Sequence, residues 1–148
     1  MPFSRLHFAR RGRFYRATAG VMIYLMGDNN PRLNVNSGST LNIKVPQAGP
    51  YAGIAIFQDR KSKADHSILN SNSKSSIEGT VYLPSSRLRL NSGGKLWSAS
   101  PWTKLVVNEL ELNSSSDIHL NANYGASSVP LPGGFAALQS ASLARLIE

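Results

Sequence analysis

The sequence predicts an all-β protein, a short right-handed parallel β-helix (β-solenoid) of about 4–5 rungs, and three observations carry that expectation. An apolar residue followed by Asn-Ser occurs at Val35-Asn36-Ser37, Leu69-Asn70-Ser71, Leu90-Asn91-Ser92 and Leu112-Asn113-Ser114, so the asparagines recur at intervals of 34, 21 and 22. Three of these corners share their continuation: "NSGSTL" (36–41), "NSGGKL" (91–96) and "NSSSDI" (113–118) each place two Gly or Ser residues and a spacer before an apolar residue. The flanking segments alternate apolar and polar residues, and no sustained helical period runs between residues 20 and 130.

In chain order, residues 1–18 read as a basic, disordered segment. The first sixteen residues hold Arg5, Arg10, Arg11, Arg13 and Arg16 and no acid, so they supply +5 of a net charge of +8. Arginine interleaved with Phe and Tyr suits non-specific contact with nucleic acid or acidic lipid. The segment lacks the apolar stretch of a secretory signal.

Residues 19–133 are the expected β-helix domain. "GVMIYL" (20–25), "GIAIF" (53–57), "GTVYL" (79–83) and "KLVV" (104–107) form one set of short strands. "LNVN" (33–36), "RLRLN" (87–91) and "ELELN" (109–113) enter the corners, while "LNIKV" (41–45) and "IHLNANY" (118–124) leave them. A rung of about 22 residues then holds three strands, and stacked corners bring Asn over Asn. Asn36, Asn70, Asn91 and Asn113 are the expected structural ladder, their amides bonding up the stack. "LNSGGKL" (90–96), which alone resembles a phosphate-binding loop, is by its recurrence a corner. The first interval exceeds a rung by about half, and the charged stretch "QDRKSKADHS" (58–67) is the expected insertion. Its Asp59, Arg60, Lys61, Lys63 and Asp65 are the candidate partner-contact residues, because loops on a rigid scaffold carry recognition. After the turn "PLPGG" (130–134), residues 134–148 read as a C-terminal cap or tail.

The inventory for chemistry is thin, and no catalytic, metal-binding or cofactor-binding residue is assigned. His7, His66 and His119 have no metal-ligand spacing. Glu109 and Glu111 share one face of a strand about 7 Å apart, near glycosidase distances, but alternation on a solvent face accounts for them. Asp28-Asn29-Asn30 and the pair Asp59 and Asp65 offer oxygens to calcium without its loop spacing. Trp97, Trp102, Tyr51, Tyr82 and Tyr124 read first as plugs of irregular core, with a carbohydrate-stacking platform as the alternative. The chain has no cysteine, so disulfides and thiolate metal sites are excluded.

"GVMIYLMGD" (20–28), "GPYAGIAIFQDR" (49–60) and "IEGTVYLPSSRLRLNSG" (77–93) together resemble the C-terminal region of TadG-like Tad/Flp pilus-assembly proteins of bacteria, over roughly residues 19–125. The resemblance implies a non-catalytic structural or interaction module in the cell envelope (periplasm or cell surface), with pilus-assembly or other envelope proteins as partners. It brings no catalytic residue with it. The hydrophobic anchor and the von Willebrand A-like region common in that family are not among these 148 residues. Two alternatives remain open: a carbohydrate-binding or carbohydrate-active β-helix, and a bactofilin-like polymer.

Overall fold

The computed structural model describes residues 7–9, 12–17, 20–27, 30–36, 39–62, 66–69, 75–91, 95–113 and 115–131. Its strands are β1 (His7–Ala9), β2 (Gly12–Ala17), β3 (Gly20–Leu25), β4 (Arg32–Val35), β5 (Asn42–Ile43) and β6 (Ile54–Gln58). They continue as β7 (His66–Leu69), β8 (Ser76–Ile77), β9 (Gly79–Leu90), β10 (Lys95–Leu96), β11 (Thr103–Leu112) and β12 (Asp117–Ile118). Among the described residues there is no α-helix. The protein is all-β, and most of its strand pairs are parallel.

The spacing of the Asn-Ser corners is the register of the strands that precede them. Val35 of β4 lies opposite Leu69 of β7, the same interval that separates Asn36 from Asn70. Leu69 lies opposite Leu90 of β9, matching the step from Asn70 to Asn91. Leu90 lies opposite Leu112 of β11, matching the step from Asn91 to Asn113. Each strand therefore ends at the same level as its neighbour, and the chain turns there at the same residue type. A one-residue slip would reverse the face of every side chain, so a buried face enforces this register.

A second parallel ladder runs through β3, β6 and β9. Both ladders converge on β9, whose first part pairs β6 and whose second part pairs β7. The sheet order is thus β1-β4-β7-β9-β6-β3-β2, with β11 on the other edge of β9. Two smaller parallel pairs, β5 with β8 and β10 with β12, stand apart from this sheet.

The core is a column of in-register apolar residues. Ile23, Ile56, Val81 and Leu83 come from one ladder and Leu33, Val35, Leu88 and Leu90 from the other, joined by Ile43, Val45, Ile77 and Trp97. Full burial of each aliphatic side chain contributes about 1.5–3 kcal/mol. Between levels, side chains also bond to backbone. Ser67 Oγ accepts from Leu33 N (3.2 Å), Ser75 Oγ from Leu41 N (2.9 Å) and Ser100 Oγ from Ile77 N (3.1 Å). Thr103 Oγ1 donates to the Ile77 carbonyl at 2.7 Å. Buried Gln58 donates to Ser86 Oγ at 2.8 Å. Serine suits these places because it is small enough to lie inside the stack and still complete a backbone bond.

The structure corrects two expectations. The extra length of the first interval lies mainly before the charged stretch. From Ile43 to Ile54 the chain takes 11 steps, whereas their partners Ile77 and Thr80 are 3 apart. From Phe57 to His66 it takes 9 steps, against 5 between their partners Tyr82 and Arg87. The larger insertion is the turn through "KVPQAGPYAG" (44–53), hidden from a charge-based search because it is nearly uncharged.

The segment 1–18, expected to be disordered, contributes two strands. β2 pairs antiparallel with β3 from Gly12 opposite Leu25 to Ala17 opposite Gly20, and β1 pairs antiparallel with β4. Together they cover the first edge of the parallel ladders, which would otherwise present unpaired backbone. The expected cap or tail at 134–148 lies outside the described residues.

Candidate functional site

Register places three aromatic residues in one row. Tyr24 lies opposite Phe57, and Phe57 opposite Tyr82. The ring centroids are 5.5 Å apart in the first pair and 5.2 Å in the second, where the planes are 20° from parallel. Tyr51, on the nearly uncharged insertion, brings its ring to 6.4 Å from Phe57 and is 41% exposed. These rings, with Asp59, Arg60 and Lys61, line an open groove of about 640 Å³.

The charged part of the groove is held in place by its own turn. Asp59 N donates to the Leu25 carbonyl at 3.0 Å, tying the loop to the neighbouring strand. Asp59 Oδ1 accepts from Lys61 N at 2.9 Å, and the Asp59 carbonyl accepts from Ser62 N at 2.9 Å. Arg60 Nε donates to Tyr82 Oη at 2.7 Å, and the Arg60 carbonyl accepts from Ser85 Oγ at 3.1 Å. The guanidinium is thus fixed beside the ring row. The result is an apolar floor with a positioned cation at one wall, suited to binding a planar or ring-shaped group.

Of the five candidate contact residues, the structure brings Asp59, Arg60 and Lys61 together; Lys63 and Asp65 lie outside the described residues. Of the candidate asparagines, Asn113 Nδ2 donates to Asn91 Oδ1 at 2.9 Å. Asn36 is exposed at the end of β4, and Asn70 lies outside the described residues. Trp97 and Trp102 are fully buried. Trp97 adopts a left-handed backbone (φ 61°), a conformation that costs a bulky residue about 1–3 kcal/mol and is offset by burial of its indole. Trp102 Nε1 donates to Ser127 Oγ at 3.2 Å, and its ring packs 5.6 Å from that of Tyr124. Three of the five aromatics weighed as a platform thus stand apart from the groove, whereas Tyr51 and Tyr82 line it.

Glu109 and Glu111 are committed to ion pairs with the neighbouring strand β9. Arg87 Nε lies 2.9 Å from Glu109, and Arg89 Nε lies 3.0 Å from Glu111. Hydrogen bonds from Asn113 and then Arg89 hold the Glu111 carboxyl below its usual range. A general acid for glycoside cleavage needs the opposite shift. His119 lies 3.5 Å from Asp117 at the surface. Among the described residues no group of three or more His, Asp or Glu side chains could hold a metal ion. Nor is any helix there long and apolar enough to cross a membrane.

No family profile, curated protein or solved structure matches the chain. The groove must therefore be read from its own chemistry. Tyr24 and Phe57 escape a reading by charge and composition, although the signal is present. Each stands four residues after the glycine that opens its segment, and Tyr82 stands three after Gly79. The register shift between Ile54 and Ile56 accounts for that one-residue difference.

Proposed function

We propose that this chain is a non-catalytic structural and interaction module, a short right-handed parallel β-helix serving Tad/Flp-type pilus assembly in the bacterial cell envelope. The observation that carries the binding role is the aromatic groove with Arg60 fixed against Tyr82. A row of rings on a rigid sheet with a charged rim offers the mixed apolar and ionic surface of a protein contact. The pilus setting rests on the sequence resemblance. The ion-paired Glu109 and Glu111 favour a non-catalytic reading of β11.

The test places Arg60→Ser, Lys61→Ser and Lys63→Ser together in cells that assemble Tad pili, beside Glu109→Gln with Glu111→Gln. The loop variant should be folded and abundant yet poor in pili or attachment, and the glutamate variant should behave as wild type. Loss of function in the glutamate variant alone would overturn the reading. A second reading, glycan binding, is favoured by the ring row itself, since sugar rings stack on aromatic faces. Binding on a glycan array that is lost with Tyr51→Ala would move the assignment there.

A further inference from the structure

We propose that β11 is a dimerisation edge, pairing antiparallel with β11 of a second copy about a two-fold axis between Val107 and Asn108. The proposal is independent of the pilus reading. β11 pairs β9 along one edge, and among the described residues no strand pairs its other edge. At its start, Thr103 N donates to the Asn121 carbonyl at 3.0 Å, and among the described residues the edge is open from Leu105 onward.

Two bonds fix which backbone groups face that edge. The Trp102 carbonyl accepts from Gly79 N, and Asn113 N donates to the Leu90 carbonyl, so Trp102 and Asn113 both face β9. Alternation from each end then turns the backbone groups of Leu105, Val107, Leu110 and Leu112 outward. The register shift between Val107 and Glu109 reconciles the two counts.

That shift makes the strand self-complementary. With the axis between Val107 and Asn108, Leu105 meets the second copy's Leu110, both with outward-facing backbone and both on the core face. Val106 meets Glu109 on the opposite face, where the Glu109 carboxylate is turned to Arg87. Apolar thus meets apolar along the core row, and the pair occurs twice as a two-fold requires.

Burial along the core rows points the same way. Leu88 and Leu90 are fully buried beneath β11, whereas Leu110 and Leu112, their register partners, are 39% and 46% exposed. The same row is therefore covered at one level and open at the next, where a further strand completes it.

The test is sedimentation of the full chain across a concentration series, with Leu110→Lys and a control, Val21→Lys, whose exposed residue lies on β3. The chain should be a dimer. Leu110→Lys should weaken association by at least about tenfold, because lysine on an edge opposes strand addition, and Val21→Lys should not. Positions 106 and 109 are directly opposed across the axis, and the chain has no other cysteine. A mixture of Val106→Cys chains with Glu109→Cys chains should therefore oxidise rapidly to a mixed covalent dimer. Exposed Ala99→Cys, mixed with either, should not. Circular dichroism checks that each variant folds. A monomer that fails to form the mixed disulfide, as expected if residues 132–148 of the same chain occupy the edge, would overturn the proposal. So would open-ended filaments, or a dimer indifferent to Leu110→Lys.

Discussion

Ser100→Ala removes one oxygen from the place where two levels of the stack are joined. Ser100 is 1% exposed, and Oγ accepts from Ile77 N at 3.1 Å and lies 3.0 Å from Ser76 Oγ. Ile77 is itself fully buried, so its amide has no water to turn to. Stranding a buried donor costs about 1–3 kcal/mol, and the lost serine pair adds a fraction of that because Ser76 is half-buried. The hole left is smaller than a methyl group, so the cavity contribution is minor. A loss of about 2 kcal/mol corresponds to a fall in Tm of roughly 4–8 °C for a chain of this size. The assay is thermal and urea unfolding followed by circular dichroism, with Ser98→Ala as control. Ser98 is exposed two residues away, and its substitution should stay within about 0.5 kcal/mol. Equal stability of the two variants would refute the claim that serine hydroxyls inside the stack complete its backbone bonding.

Three further outcomes follow from other parts of the fold. Gly20→Ala would place a methyl carbon 2.3 Å from the Val45 carbonyl group, where backbone must move, and should cost about 3 kcal/mol; Gly125→Ala, whose methyl would meet only Asn123 Oδ1 at an ordinary 4.0 Å, should be near neutral. Glu111 has a folded pKa below the ordinary 4.5, so its contribution is complete above that value and is lost as pH falls through the lower, folded pKa. Urea midpoints of wild type and Glu111→Gln should therefore differ near neutrality and converge at acid pH; a constant difference would contradict the assignment. Deletion of residues 1–17 should uncover the edges of β3 and β4 and give aggregation or a clearly lower Tm, whereas an unchanged monomer would show that β1 and β2 cap nothing.

The parallel ladders were legible in the sequence because corners repeat where strands end together. Asn36, Asn70, Asn91 and Asn113 lie at intervals that became strand registers without adjustment. The antiparallel cap was not legible. "GRFYRA" (12–17) carries two arginines, and the link to β3 through Thr18 and Ala19 lacks the Gly or Asn that marks a two-residue hairpin. The groove was half legible. Charge exposed Asp59, Arg60 and Lys61, but Tyr24 and Phe57 sit within apolar strand segments and read as core. Their common face emerges once register stacks them, and register depends on a bulge at Ile54–Ile56 that no residue type announces. Trp97 likewise occupies a left-handed position where Gly or Asn is expected, because the core beside that turn needs its volume.

The central claim is that strands about 22 residues apart lie side by side, parallel and in the register of the Asn-Ser corners. It is tested most directly by cross-linking in a chain that has no cysteine of its own. Adjacent strands are about 4.8 Å apart, within reach of a disulfide between directly opposed positions. Asn91→Cys with Asn113→Cys should close an intrachain disulfide under mild oxidation, identified by peptide mass mapping, and should raise the Tm. Asn91→Cys with Asn108→Cys, five residues out of register, should not close within one chain. Ready closure of the mismatched pair, with the matched pair remaining free, would contradict the parallel register.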